Sequence, residues 1–204
     1  MMVYVGQTRS RKLIAELIEL GFGEMTVRGE YPPRRHPWAF DNGCFRDWKA
    51  EKPFDERAFL ADIYQIHGYG NLPDFIVAPD IVAGGCASLD MSCDWAERLD
   101  GIAPLYLAVQ DGMTEDDVAD RIDLFSGVFV GGTLPWKLKT GDAWVRFARD
   151  KSVRCHIARV GTSRRVKWAK RIGCDSIDSC LPLWSTDNLR RFLDALDHRQ
   201  MELL

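Results

Sequence analysis

The chain has 204 residues, 46% of them hydrophobic, and its 27 Lys and Arg against 30 Asp and Glu give a formal charge of −3. That balance excludes a disordered chain, a fibre and a globally basic nucleic-acid coat, and it supplies enough apolar material for a sizeable core. No run approaches the roughly 20 apolar residues of a membrane span, and the start, Met1-Met2-Val3-Tyr4-Val5-Gly6, lacks the charged-then-apolar layout of a signal peptide. One domain over residues 1–204, in the cytosol, is the expectation.

The first apolar run, Val3–Gly6, reads as a strand. Leu13, Ile14, Leu17 and Ile18 then form a helical stripe stopped by Gly21 and Gly23. Glu24–Val27 is a second strand. The segment Gly29–Pro37, with three prolines and Arg34-Arg35-His36, reads as a loop. Further strands fall at Trp38–Phe40, Phe75–Ala78, Leu105–Val109, Val128–Val130, His156–Ala158 and Ser176–Ile177. Several are continuous apolar runs, as in a parallel sheet covered on both faces. Leu189, Phe192, Leu193 and Leu196 make a last helix, with Ser185 and Thr186 as cap candidates.

Eight strands alternating with helical stretches define an α/β chain, either a closed (β/α)8 TIM-like barrel or an open doubly wound sheet. The strand count favours the barrel, at the short limit of its length range. So do the polar residues closing the apolar runs: Asp41, Asp80, Gln110, Gly131-Gly132, Arg159 and Asp178. In a barrel those ends converge on the face that carries active sites. No Gly-x-Gly-x-x-Gly opens a helix, so the dinucleotide-binding signature is absent.

The six cysteines, Cys44, Cys86, Cys93, Cys155, Cys174 and Cys180, form no C-x-x-C pair and have no His at zinc-site offsets. They read as structural thiols, with no metal. Charge is uneven. Between Thr133 and Ile172 there are twelve Lys and Arg, including Lys137, against Asp142 and Asp150, so that stretch carries +10 and the remainder −13. Its densest part holds Arg164, Arg165, Lys167, Lys170 and Arg171 on one expected helix. Such a run is either a solvated helix face or a phosphate-binding rim.

Asp41 and Asp178 stand at strand ends, where a carboxylate serves as nucleophile or as general acid/base. Two carboxylates acting on one sugar suggest glycosyl transfer. Each could instead cap the helix that follows, and Asp80 carries the same ambiguity.

The order of these segments resembles the tRNA-guanine transglycosylase superfamily, and within it the phage and bacterial 7-deazaguanine DNA transglycosylases. Asp41-Asn-Gly-Cys-Phe45 resembles that family's D-S-G-G-F/Y, Ala78-Pro-Asp80 its A-F-D, and Ala108-Val-Gln110-Asp-Gly112 its I-V-Q-G-G. Val130-Gly131-Gly132 resembles I-G-G-L, Ala158-Arg-Val-Gly161-Thr162 resembles M-G-V-G-T, and Asp175-Ser-Ile-Asp178-Ser-Cys-Leu-Pro182 resembles D-M-F-D-C-V-M-P. The blocks occur in family order from Trp38 to Pro182.

The resemblance implies that Asp178 attacks C1′ and that Asp41 is the general acid/base. It implies that Asp80 reads guanine N1–H and the exocyclic amine, and that Gln110 and the Gly132 N–H donate to O6. Phe45 would stack on the base, Gly131 would line the pocket, and Arg159 would stand at its mouth. The reaction implied is exchange of guanine for a 7-deazaguanine such as preQ0, with retention, through a covalent glycosyl–enzyme and without a cofactor. The partners implied are guanine-containing DNA and a free 7-deazaguanine base; a homodimer is a candidate assembly that the sequence does not decide. The Gly29–Pro37 loop and Trp48 are candidates to fill the gap left by an extruded base.

Departures bear on the substrate. Leu183-Trp184-Ser185-Thr186 stands where the tRNA enzymes carry anticodon-reading arginines, and the C-terminal zinc module has no counterpart. Arg159 stands where the family has glycine, Ala158 where it has methionine, and Cys44 where it has glycine. DNA is therefore the expected substrate. The alternatives are a tRNA-guanine transglycosylase-like enzyme, a non-catalytic nucleic-acid-binding partner subunit, and an unrelated barrel hydrolase of free nucleosides.

Overall fold

The apolar runs pair in sequence order as parallel strands, and the last closes on the first, making an eight-stranded barrel. The structure is a computed structural model and describes residues 1–197; the end of the expected domain, 198–204, lies outside it. In chain order the elements are β1 (Met2–Gly6), α1 (Arg11–Glu19), β2 (Gly23–Val27), β3 (Trp38–Asp41), α2 (Cys44–Lys49), α3 (Glu56–Tyr69), β4 (Ile76–Val77) and α4 (Cys86–Arg98). There follow β5 (Leu105–Val109), α5 (Glu115–Val118), β6 (Gly127–Val130), α6 (Leu134–Asp150), β7 (Arg154–Ile157), α7 (Ser163–Ile172), β8 (Ser176–Ser179), α8 (Leu181–Trp184) and α9 (Thr186–Asp197). Among the described residues no helix is long and apolar enough to cross a membrane.

The two-residue period of a strand divides the core in two. Tyr4, Met25, Ala39, Phe75, Tyr106, Ala108, Phe129 and Ala158 fill the barrel. Their neighbours Val3, Phe40, Ile76, Leu107, Val130, Ile157 and Ile177 point outward into the layer beneath the helices. Such a barrel is packed solid, which leaves ligand space only at its rims. Phe75 and Tyr106 stack in it at 4.1 Å between centroids, and the Tyr4 hydroxyl donates to Asp74 at 2.6 Å.

The crossover from β2 to β3 carries no helix. The Gly29–Pro37 loop covers the outer face of β2 instead, and its Arg35 is drawn fully inside, paired with Glu24 at 2.9 Å. Arg35 also donates to the carbonyls of Val5, Gly6 and Gly23. A buried guanidinium needs this density of acceptors. Arg35 is thus a plug between β1 and β2 and has no freedom to enter a gap in a substrate.

In α1 the expected stripe is narrower than four residues. Leu17 is buried while Ile18 is 51% exposed, because at about 100° per residue Ile18 turns well away from the face centred on Leu17. The basic helix α7 begins where Thr162 Oγ1 accepts from the Arg165 N–H at 3.3 Å, and it ends at Gly173 with φ 76°. Val166 and Ala169 face the core, which turns Arg164, Lys167 and Arg171 outward.

Candidate active site

A cavity of about 500 Å³ opens at the C-terminal ends of the strands, lined by residues that follow β3, β4, β5, β6 and β7. Asp41, Phe45, Asp80, Gln110, Gly131, Gly132 and Arg159 all border it. Asp178 stands next to it, capped by Arg159.

Asp178 and Ser176 both point into the barrel from β8, as His156 and Ala158 do from β7. The register sets His156 directly opposite Ser176. His156 is fully buried, stacked on Phe129 with centroids 4.9 Å apart and planes within 3°. Its Nδ1 meets Ser176 Oγ at 2.8 Å, which orients the ring so that Nε2 donates to Asp178 Oδ1 at 3.1 Å. The Arg159 N–H donates to the same oxygen at 2.9 Å. Among the described residues nothing donates to Oδ2, so one oxygen of Asp178 is anchored and the other is free. Burial alone would push this carboxyl up. The His156 hydrogen bond and charge, the Arg159 N–H and the Lys137 charge outweigh it and hold Asp178 below the usual carboxylate range.

Asp41 is shifted the opposite way. Burial pushes its carboxyl up, against a hydrogen bond from the Gly43 N–H at 2.7 Å, and the negative charge of nearby Asp178 adds to the rise. The turn after it explains the local sequence: Asp41 accepts from Gly43 N, then Asn42 Oδ1 accepts from Cys44 N at 2.8 Å, opening α2. Gly43 sits at φ 78°, where a Cβ would also lie 3.3 Å from Arg28. Arg28 pairs with Asp47 at 2.6 Å and pins α2 against the barrel rim.

Asp80 lies beside that turn and is bonded to it. Its Oδ1 accepts from Asn42 Nδ2 at 2.8 Å and its Oδ2 from Gln110 Nε2 at 3.2 Å. Burial pushes the carboxyl up to about 6, with the Asn42 bond opposing and the Asp41 charge adding. Gln110 stands behind it, buried, with Nε2 also facing Ile81 O at 2.7 Å and Ser88 Oγ at 2.8 Å. Its Oε1 accepts from the Ala83 N–H at 2.6 Å. The amide is therefore occupied within the protein and holds the wall behind Asp80.

On β6 and its loop, Gly131 donates to Val109 O at 2.9 Å. Gly132 has φ 62°, and a Cβ there would come within 2.6 Å of Trp136 and 2.7 Å of Asp111 Oδ2. Only glycine fits. Arg159 also has positive φ, 55°, at the position where the resembled pattern carries glycine. Its guanidinium bridges the cavity, donating to Gly132 O at 2.8 Å and lying 4.0 Å over the ring of Phe45. Phe45 in turn stacks on the exposed Trp48 at 5.8 Å. The face of Phe45 expected to receive a base is thus covered by an arginine in this structure.

The basic residues of α7 lie together. Arg164, Arg165, Lys167, Lys170 and Arg171 line a groove of about 1320 Å³ that runs along α7 beside α6. Leu134 and Arg165 border both this groove and the cavity, so the two are continuous. Among the described residues none of the five makes an ion pair. Lys170 donates to the Leu196 carbonyl; the other four leave their charge on the groove.

Two groups in the site are legible only with the structure, His156 and Lys137. Lys137, in the first turns of α6, is buried against the cavity and donates to the Ala158 carbonyl. Burial and the neighbouring Arg159 bring its ammonium down to about 7, against the opposing charge of Asp178. Among the described residues no group of three or more His, Cys, Asp or Glu is placed to hold a metal ion.

The fold and rim define the class, a closed parallel (β/α)8 barrel with a carboxylate-rich cavity at its C-terminal face. No protein-family model and no curated protein matches the chain.

Proposed function

We propose that this chain is a guanine transglycosylase acting on DNA, exchanging guanine for a 7-deazaguanine base with retention. The observation that carries the reading is the geometry of two neighbouring carboxylates, Asp178 anchored through Oδ1 by His156 and the Arg159 N–H with no donor on Oδ2 among the described residues, and Asp41 lining the cavity beside it, in surroundings that hold the first carboxyl low and push the second up. Pairs pushed apart in this way mark a division between nucleophile and acid/base.

In the proposed first step Asp178 Oδ2 bonds to C1′ as the C1′–N bond to guanine breaks. The electron pair stays on the base nitrogen, which takes the proton of neutral Asp41. In the second step Asp41, now a carboxylate, removes a proton from the incoming base. That nitrogen attacks C1′ on the face guanine left and expels Asp178. Asp80, when ionised, offers two oxygens to the adjacent N–H donors of a guanine edge. The unpaired cations of α7 suit the phosphates of a polynucleotide, and their groove leads to the cavity through Arg165. A base within a duplex must be extruded to reach it, at a cost of a few kcal/mol.

The test is incorporation of labelled guanine into DNA by the full chain. Asp178→Ala should abolish incorporation with the fold intact. Asp41→Asn should be nearly inactive, with protein–DNA adduct on denaturing gels forming far more slowly than in the unaltered chain, because release of guanine needs the Asp41 proton. Incorporation by Asp178→Ala would end the assignment.

A further inference from the structure

The carboxylates of the cavity explain how it takes a donor edge, and the opposite requirement falls on Lys137. This side chain borders the cavity and is only 4% exposed. An ammonium has three N–H donors, and the one acceptor it meets among the described residues is the Ala158 carbonyl. It makes no ion pair among those residues. Its nearest charged company includes Arg159 and Arg165, which repel it, as well as Asp178 and Asp111. It also stands near the start of α6, where the helix dipole disfavours a cation. A buried ammonium with spare donors, crowded by other cations, is an incomplete site that needs an acceptor.

The order of strands around the rim says what kind. Asp80 follows β4 and Gln110 ends β5, whereas Lys137 rises after β6. A planar ligand that gives its donor edge to Asp80 turns the neighbouring edge towards β6 and α6. Gln110 cannot serve that edge, because its amide is spent on Asp80, Ile81, Ser88 and Ala83. Among the described residues Lys137 is the buried side chain there with donors left, whereas Arg159 is exposed and Arg165 half-buried. Its depth also selects the partner. A backbone phosphate rides at the mouth, where the more open Arg165 and the α7 groove await it, while a small acceptor on the heterocycle reaches a buried ammonium.

We infer that Lys137 determines specificity, donating to a carbonyl-, nitrile- or amide-type acceptor on the base and rejecting bases that present an ammonium there. The inference rests on the base-exchange reading and narrows it to the class of incoming base. It also runs against the simplest electrostatic expectation, since a cavity lined by Asp41 and Asp80 with Asp178 beside it would otherwise favour a cationic substituent.

The test is calorimetric titration of the full chain with 7-cyano-, 7-carboxamido- and 7-aminomethyl-7-deazaguanine. These share the ring and the donor edge, so the contribution of Asp80 is common to all three. The unaltered chain should bind the cyano and carboxamido bases at least about tenfold more tightly than the aminomethyl base. Lys137→Met, which removes the donors and the buried charge while keeping the chain length, should bring the three within about threefold of one another, and Lys137→Glu should reverse the order. Equal affinities in the unaltered chain, or an unchanged ratio in Lys137→Met, would overturn the inference while leaving base exchange standing. Binding of none of the three would overturn both. Inorganic phosphate is the remaining probe: if Lys137→Met loses phosphate binding and keeps the base ratios, Lys137 seats a phosphate and the inference falls.

Discussion

Replacing His156 with Phe isolates what the imidazole does for Asp178. A phenyl ring preserves the stack on Phe129 at 4.9 Å and the tilted contacts with Phe75 at 5.3 Å and Tyr4 at 6.0 Å. It removes the Nε2 donor 3.1 Å from Asp178 Oδ1 and the Nδ1 contact with Ser176. A hydrogen bond to a charged group contributes about 1.5–3 kcal/mol, which at about 1.4 kcal/mol per unit should raise the Asp178 carboxyl by roughly one to two pH units. The same energy lost from the attacking geometry should slow exchange on the order of 10- to 100-fold. KM should barely move, because His156 does not line the cavity. The Ser176 hydroxyl, left without its partner at 5% exposure, should cost a further 1 to 3 kcal/mol of stability, roughly, and Ser176→Ala in the same chain should recover most of that. The sign with pH follows from Asp178 being held low. Its stabilisation is present above the ordinary carboxylate range and lost as pH falls through the folded value, so the stability gap between the chain and the His156→Phe variant should narrow in acid. Carboxyl-carbon NMR of Asp178 reads the titration directly, beside single-turnover exchange. His156→Gln, which returns an N–H donor, should restore both in part. An Asp178 that titrates unchanged in the Phe variant, with exchange within about twofold, would refute the reasoning.

Asp80 should gate base binding with acid. Its carboxyl is pushed up to about 6, so the ionised, binding-competent fraction drops about tenfold between pH 7 and pH 5, and calorimetric affinity for guanine should drop with it; a flat profile would make Asp80 a wall residue. Without ligand the sign is reversed: the raised carboxyl favours the fold in acid, and that contribution is lost as pH rises through about 6. Reversing Arg164 and Lys167 to Glu should weaken DNA binding uniformly across sequences and cut the log–log salt slope by about one unit per lost phosphate contact; an unchanged slope would leave α7 a solvated face. Arg159→Gly should slow exchange on bound DNA more than it weakens DNA binding, compared by single turnover against equilibrium binding, and the opposite order would place Arg159 in the DNA-holding surface.

The barrel was legible because its code is local. Eight apolar runs separated by amphipathic stretches have few other ways to cover both faces of a parallel sheet, and polar residues at their C-terminal ends marked the rim. What escaped depended on pairings between strands. His156 reads as one more residue of a short strand until register sets it opposite Ser176, one inward step from Asp178. Lys137 was hidden among eleven other cations between Thr133 and Ile172. The available signal was its place near the start of a helix, where a cation is disfavoured. Arg35 misled because Arg34-Arg35-His36 reads as exposed charge, while the absence of a helix between β2 and β3 left Glu24 buried and in need of that guanidinium.

The departures from local preference are not scattered. Arg159 holds a left-handed backbone that glycine would adopt more easily, and Lys137 opposes the dipole of α6. Asp41 stands half-buried beside another carboxylate, and Asp80 is raised despite two side-chain donors. Each would be selected against on stability alone, by about 1 kcal/mol or more for the backbone strain. All of them border one cavity. By contrast the buried pair Arg35–Glu24, equally charged, is saturated with partners and lies outside it. Buried charge as such therefore does not mark this site. Ionisable groups with capacity left over do: the free Oδ2 of Asp178, the spare N–H groups of Lys137, and Asp41, whose carboxyl is pushed up towards holding a proton. Those three capacities are an oxygen to attack, donors to hold an acceptor and a proton to move, which is the set that a base exchange at a sugar carbon requires.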